Sequence, residues 1–106
     1  MSGELASLLI VDDNELNRDL LVRRLARQGY ETVAASSGAE ALRMIEERRF
    51  DLALFDIMMP EISGLEALAK VRETYSLADL PIIMVTAKSQ SEDIVEALRL
   101  GANDYV

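Results

Sequence analysis

The sequence predicts an open, parallel α/β sheet with helices on both faces. Two observations carry that prediction. Four short apolar runs of strand length recur, Leu8 to Val11, Thr32 to Ala35, Leu52 to Phe55 and Ile82 to Val85, and segments of helical period lie between them. Strands apolar on both faces that alternate with helices imply a parallel sheet covered on both sides.

Taken in order, Leu8 to Val11 is a first strand, and a helix follows from about Asn14 to Gln28. That helix places Leu16, Leu20, Leu21 and Leu25 on one face and ends at Gly29, a natural residue for a helix C-terminus. Thr32 to Ala35 is a weaker second strand. A second helix opens with Ser37 and Glu40 in capping-box spacing and turns Ala41, Leu42 and Ile45 inward. Leu52 to Phe55 is the third strand, and Pro60 and Gly64 suit a rigid turn before a helix of roughly Gly64 to Tyr75 carrying Leu65, Leu68 and Ala69. Ile82 to Val85 is the fourth strand. A fourth helix spans Ser91 to Leu100, with Ile94, Ala97 and Leu98, and stops at Gly101; Asp104, Tyr105 and Val106 then begin a fifth strand. No linker, low-complexity run or repeat interrupts this rhythm. Residues 1–106 read as one domain whose fifth strand has barely started.

A chain of 106 residues can bury a core without staples. It has no cysteine and no histidine, so disulfides are excluded and the commonest general base and transition-metal ligand are missing together. Chemistry must run on carboxylates, hydroxyls and amines. Nineteen acidic residues against eleven basic ones give a formal net charge of −8, which repels a phosphate backbone and argues against nucleic-acid binding by this domain. The opening MSGELASLLIVDDNE has no basic region of a signal peptide, and no run nears the roughly 20 apolar residues of a membrane span. A cytoplasmic domain with no membrane partner is the expectation.

Ligands of an open parallel sheet bind outside the carboxyl ends of its strands. That edge receives Asp12 and Asp13 after the first strand, Asp56 after the third and Thr86 after the fourth. Three converging carboxylates repel one another by about 4 kcal/mol per close pair at an effective dielectric near 20. Such a cluster either raises a pKa or holds a cation. An oxygen-only donor set favours a hard divalent ion, and few carboxylates with room for waters and a phosphoryl oxygen suit Mg²⁺ better than a calcium cage. Magnesium beside a carboxylate suggests phosphoryl transfer. Aspartate, with an ordinary pKa of about 3.9, is already ionised at neutral pH and attacks phosphorus without a general base. Thr86 would donate a hydrogen bond to a phosphoryl oxygen, and a fixed cation opposite the metal would complete the balance.

The motifs LLIVDDNELNR, LALFDIMMPEISGLE, PIIMVTAKS and LGANDYV together resemble the receiver domain of two-component response regulators. The likeness runs along the whole chain. It implies a flavodoxin-like doubly wound sheet of strand order 2-1-3-4-5, like that of the chemotaxis regulator, here lacking the end of strand 5 and helix 5. It further implies that Asp56 accepts a phosphoryl group from a histidine kinase or histidine phosphotransfer protein. Asp13 and Asp56 would ligate Mg²⁺, with Mn²⁺ an alternative; Asp12 would act through a bound water and the Met58 backbone carbonyl would add a ligand. Thr86 would contact the phosphoryl group and shift on activation, with Tyr105 as the aromatic switch residue and Lys88 tuning hydrolysis. The family's lysine-proline pair beyond the position of Tyr105 has no counterpart here, and Lys88 does not replace it. The expected partners are a kinase or phosphotransfer protein and an output domain, in the same polypeptide or in trans; homodimerisation stays open.

Each residue also has a plainer reading. Asp12 and Asp13 can cap the first helix, Thr86 can be an ordinary strand-end hydroxyl, Met58 and Met59 can be apolar cover, and Tyr105 can be edge packing. Glu46 and Glu47 read as a solvated face. A phosphorylation-independent interaction domain of the same fold is the alternative to a phosphoacceptor that assists only its own phosphorylation and dephosphorylation. An aspartate-nucleophile phosphatase is disfavoured because VDDN lacks the Asp-x-Asp spacing, and a flavin carrier because no Gly/Thr-rich phosphate loop follows the first strand.

Overall fold

The computed structural model describes residues 6–56, 59, 61–76, 79–85, 102 and 104–105. Five strands, β1 (Ser7–Val11), β2 (Glu31–Ala35), β3 (Leu52–Asp56), β4 (Ile82–Val85) and β5 (Asp104–Tyr105), form one sheet. Every pairing is parallel and the order is β2-β1-β3-β4-β5, the doubly wound arrangement expected. The described helices are α1 (Glu15–Arg27), α2 (Gly38–Glu47) and α3 (Gly64–Arg72). The fourth expected helix, 91–100, lies outside the described residues.

Local chemistry sets the helix ends. Asn14, not Asp12 or Asp13, is the N-cap of α1, its side chain accepting from the Asn17 amide at 3.0 Å. At the other end Gly29, at φ +94°, lets its own amide reach the Ala26 carbonyl (3.1 Å) and the Tyr30 amide reach the Leu25 carbonyl (3.2 Å), closing the helix in a Schellman motif. Ser37 caps α2 through the Glu40 amide (3.1 Å), while Glu40 reaches back to the Ser36 amide (2.8 Å). This is a capping box displaced by one residue. Ser63 caps α3 in the same way through the Glu66 amide.

α3 stops at Arg72, three residues before the Tyr75 expected from sequence. The last turn tightens there, the amides of Glu73 and Thr74 reaching back three residues to Lys70 and Val71, and beyond it Arg72 Nη1 donates to the carbonyls of Tyr75 (3.5 Å), Ser76 (3.0 Å) and Leu80 (2.7 Å). Burial lowers its pKa. Arg72→Met strands these carbonyls and is expected to lower stability by about 2 kcal/mol, read as an earlier urea midpoint with an unchanged slope.

The two sheet faces differ. The strand order advances from β1 to β2 in one direction and from β2 to β3 and β4 in the other, so right-handed crossovers put α1 on the face opposite α2 and α3. On the α2/α3 face, Leu9, Val11, Ala53, Phe55, Ile82 and Met84 join Ala41, Ile45, Ala67, Leu68 and Val71 in one core. On the other face α1 packs on β1 and β2, where Leu8 and Ile10 are buried. β3 and β4 alternate instead: Ala53, Phe55, Ile82 and Met84 are wholly buried, but Leu52, Leu54, Ile83 and Val85 are only half-buried. No described helix covers that side of β3 and β4. The expected cover on both faces is seen at β1 and β2, against which α1 and α2 both pack. The leucine face of α1 is buried only in part: Leu16 is 69% and Leu20 46% exposed, while Leu21 and Leu25 are half-buried.

Candidate phosphoacceptor and metal site

β1 and β3 are adjacent, and their register pairs Val11 with Phe55, so the residues that follow emerge side by side at the carboxyl edge. Asp12 comes immediately after β1. Asp56 is the last residue of β3, one residue longer than expected, and pairs in register with Val85 of β4. Asp12, Asp13 and Asp56 each place one carboxylate oxygen within 4.8 Å of the others'. Asp12 is buried, Asp56 half-buried and Asp13 exposed. The sheet edge thus assembles the triad expected from sequence.

Asp12 is held on three sides. Its amide donates to the Ala35 carbonyl of β2 (3.2 Å), its Oδ1 accepts from the Asn14 amide (2.8 Å), and its carbonyl accepts from Arg18 Nη1 (2.9 Å). Arg18 was not singled out from the sequence, although a cation so near a helix N-terminus, where the macrodipole disfavours it, was a readable signal. A groove of about 320 Å³ runs from the triad down the side of α1, lined by Asp12, Asn17, Leu20, Leu21, Arg24, Asp56 and Val85. It follows the half-buried side of the sheet into the site.

The loop after Asp56 is pinned from below. A Cβ added at Gly38 would lie 3.0 Å from both Cγ2 and the carbonyl oxygen of Ile62, so the first turn of α2 touches the β3–α3 connection closely. Glu61 in that connection takes φ +67°, a left-handed conformation rare for glutamate. Gly38→Ala is expected to cost about 1–3 kcal/mol by overpacking against backbone, measured by thermal melting. Met59 is buried, as the plainer reading anticipated. Met58, Thr86 and Lys88 lie outside the described residues, and of Tyr105 the structure places the backbone in β5, beside Met84.

Three carboxylate oxygens this close, with no nitrogen or sulfur ligand among them, fit a hard divalent cation. A family model described as the response regulator receiver domain matches residues 8–106. The chain belongs to that family. It is therefore a receiver domain, the phosphoacceptor signalling module of two-component response regulators.

Its relatives agree. The transcriptional regulatory protein AfsQ1 of Streptomyces coelicolor is 40% identical over 100 residues, covering 94% of this chain and 43% of its own. Among solved structures, the chemotaxis protein CheY4 of Vibrio cholerae superposes with a TM-score of 0.90 at 32% identity, over 97% of this chain and 86% of its own. The response regulator TrrA of Thermotoga maritima, solved in complex with Mg²⁺-BeF, gives 0.86 at 36% identity, over 96% and 85%. The receiver chain spans less than half the length of the curated relatives it matches. No described helix is long and apolar enough to cross a membrane.

Proposed function

We propose that Asp56 is the phosphoacceptor, taking a phosphoryl group from a histidine kinase or a histidine phosphotransfer protein in the cytoplasm. The observation that carries this reading is the meeting of Asp12, Asp13 and Asp56 oxygens within 4.8 Å at the carboxyl edge. Asp13 and Asp56 would hold Mg²⁺, with Mn²⁺ an alternative, while Asp12 would orient a bound water and the Met58 carbonyl would add an oxygen. When bound, the ion neutralises charge on the transferring group. A TrrA structure that holds Mg²⁺-BeF supports the same assignment by likeness.

The chain's own part is positional. β3 presents the Asp56 carboxylate from a strand paired on both sides, so an oxygen faces the incoming phosphorus without a general base. Asp12, tied at its amide, carbonyl and Oδ1, has little freedom to move away. Thr86 would donate to a phosphoryl oxygen and, with Tyr105, shift on phosphorylation; Lys88 would tune hydrolysis. Phosphorylation then biases two conformations whose surfaces differ for an output domain or partner. The domain assists only its own phosphorylation and dephosphorylation.

Residues 1–106 belong, in this reading, to one receiver domain. The test is intact-mass measurement after incubation with a small phosphodonor and Mg²⁺. An Mg²⁺-dependent adduct supports a phosphoacceptor. Its absence, also in a chain extended by a helix after β5, would favour the phosphorylation-independent interaction domain.

A further inference from the structure

Asp12 and Asp13 share one peptide plane, the unit that carries the Asp12 carbonyl and the Asp13 amide. The Asp12 amide is fixed by β2 and its Oδ1 by the Asn14 amide. The second bond closes a turn around the plane that follows but leaves the Asp12 carbonyl oxygen to another partner. That carbonyl accepts from Arg18 Nη1 at 2.9 Å, in a half-buried setting. Arg18 stands in α1, where its own amide donates to the Asn14 carbonyl at 3.0 Å. Its side chain thus folds back over the turn and ties the helix to the end of β1.

We propose that Arg18 is a positioning residue for the acidic site: by holding the Asp12 carbonyl it fixes the Asp12–Asp13 peptide and thereby aims the Asp13 carboxylate at the oxygens of Asp12 and Asp56. The inference rests on the reading of these three residues as a divalent-cation site. Charge and geometry predict opposite signs. As a bare positive charge Arg18 opposes a divalent cation, so removing it would tighten binding; as a clamp on a ligand it sharpens the site, so removing it loosens binding. The clamp acts through a ligand's backbone, and the loss of such outer contacts weakens metal affinity by about tenfold or more.

The experiment is calorimetric titration of the chain with Mg²⁺ alone, with thermal melting of each variant as a folding control. Arg18→Met is expected to weaken Mg²⁺ binding about tenfold while the fold is retained. Arg18→Lys keeps the charge but gives up the planar fork, and is expected to lose less, about threefold. Unchanged or tighter binding in Arg18→Met overturns the proposal, as does a lowered melting temperature with wild-type affinity. If Arg18→Met does not fold, wild-type affinity in Arg18→Lys overturns it instead. Asp13→Asn separates the two levels. Wild-type Mg²⁺ affinity in Asp13→Asn defeats the site reading and the clamp together, whereas loss there beside wild-type affinity in Arg18→Met defeats the clamp alone.

Discussion

Asp56→Asn is expected to leave no phosphodonor adduct where the unsubstituted chain forms one. Asparagine keeps the shape and hydrogen-bonding capacity of the side chain but offers no anionic oxygen to phosphorus. The same variant has a stability signature of opposite signs in two buffers. Without a divalent ion, removing one of three clustered carboxylates relieves repulsion, and stability should rise by about 1 kcal/mol, since the half-buried position leaves the charge partly screened. With Mg²⁺ at a hundredfold excess over its Kd, the unsubstituted chain gains about 2.7 kcal/mol by mass action, and the variant, short of a ligand, gains less. The order of the two melting temperatures should therefore invert between chelator and saturating Mg²⁺. An adduct that survives the substitution, or melting temperatures that keep their order, would remove Asp56 from the role.

Continuing the chain past Val106 through one further helix is expected to raise stability by about 2–4 kcal/mol. Leu20 of α1 is exposed, and Leu54, Ile83 and Val85 are half-buried on the side of β3 and β4 that no described helix covers. Each would contribute roughly 1 kcal/mol on completing its burial, offset in part by the entropy of ordering the added residues. Comparison of urea midpoints and slopes checks this, because the slope should rise with the extra surface that unfolding exposes. Adduct yield should rise in parallel, since the groove that would be covered begins at Asp12 and Asp56. Equal midpoints and equal yields in the shorter and longer chains would show that the open side needs no cover.

Much of this was legible in the chain itself, for physical reasons that differ by residue. Gly29 was readable as a helix terminus because only a residue without Cβ adopts its conformation freely, and Ser37 because its hydroxyl serves an orphan amide. The strand order and the triad were readable because strand ends in a parallel sheet share an edge, and the resemblance to receiver domains named that edge. The exposure of Leu16 and Leu20 was not legible. Helical period tells which residues share a face but not whether anything covers it, and the cover of α1 depends on elements distant in sequence. Asn14 displaced the aspartates as helix cap because three adjacent residues, Asp12, Asp13 and Asn14, are all capable caps. The early end of α3 was hidden because it is a tightened backbone turn with no glycine or proline to mark it. Glu61 gave no warning at all, glutamate being an unusual occupant of a left-handed turn.

Phe55 and Asp56 are neighbours in one strand, yet the first is sealed in the core and the second reaches the groove. Core and chemistry are thus assigned by odd and even position along β3. A single-residue insertion or deletion between Leu52 and Asp56 would swap the two, sending a charge inward and an aromatic ring outward. The strand can change its side chains one at a time, but its length can change only in steps of two without exchanging an interior for a reactive edge.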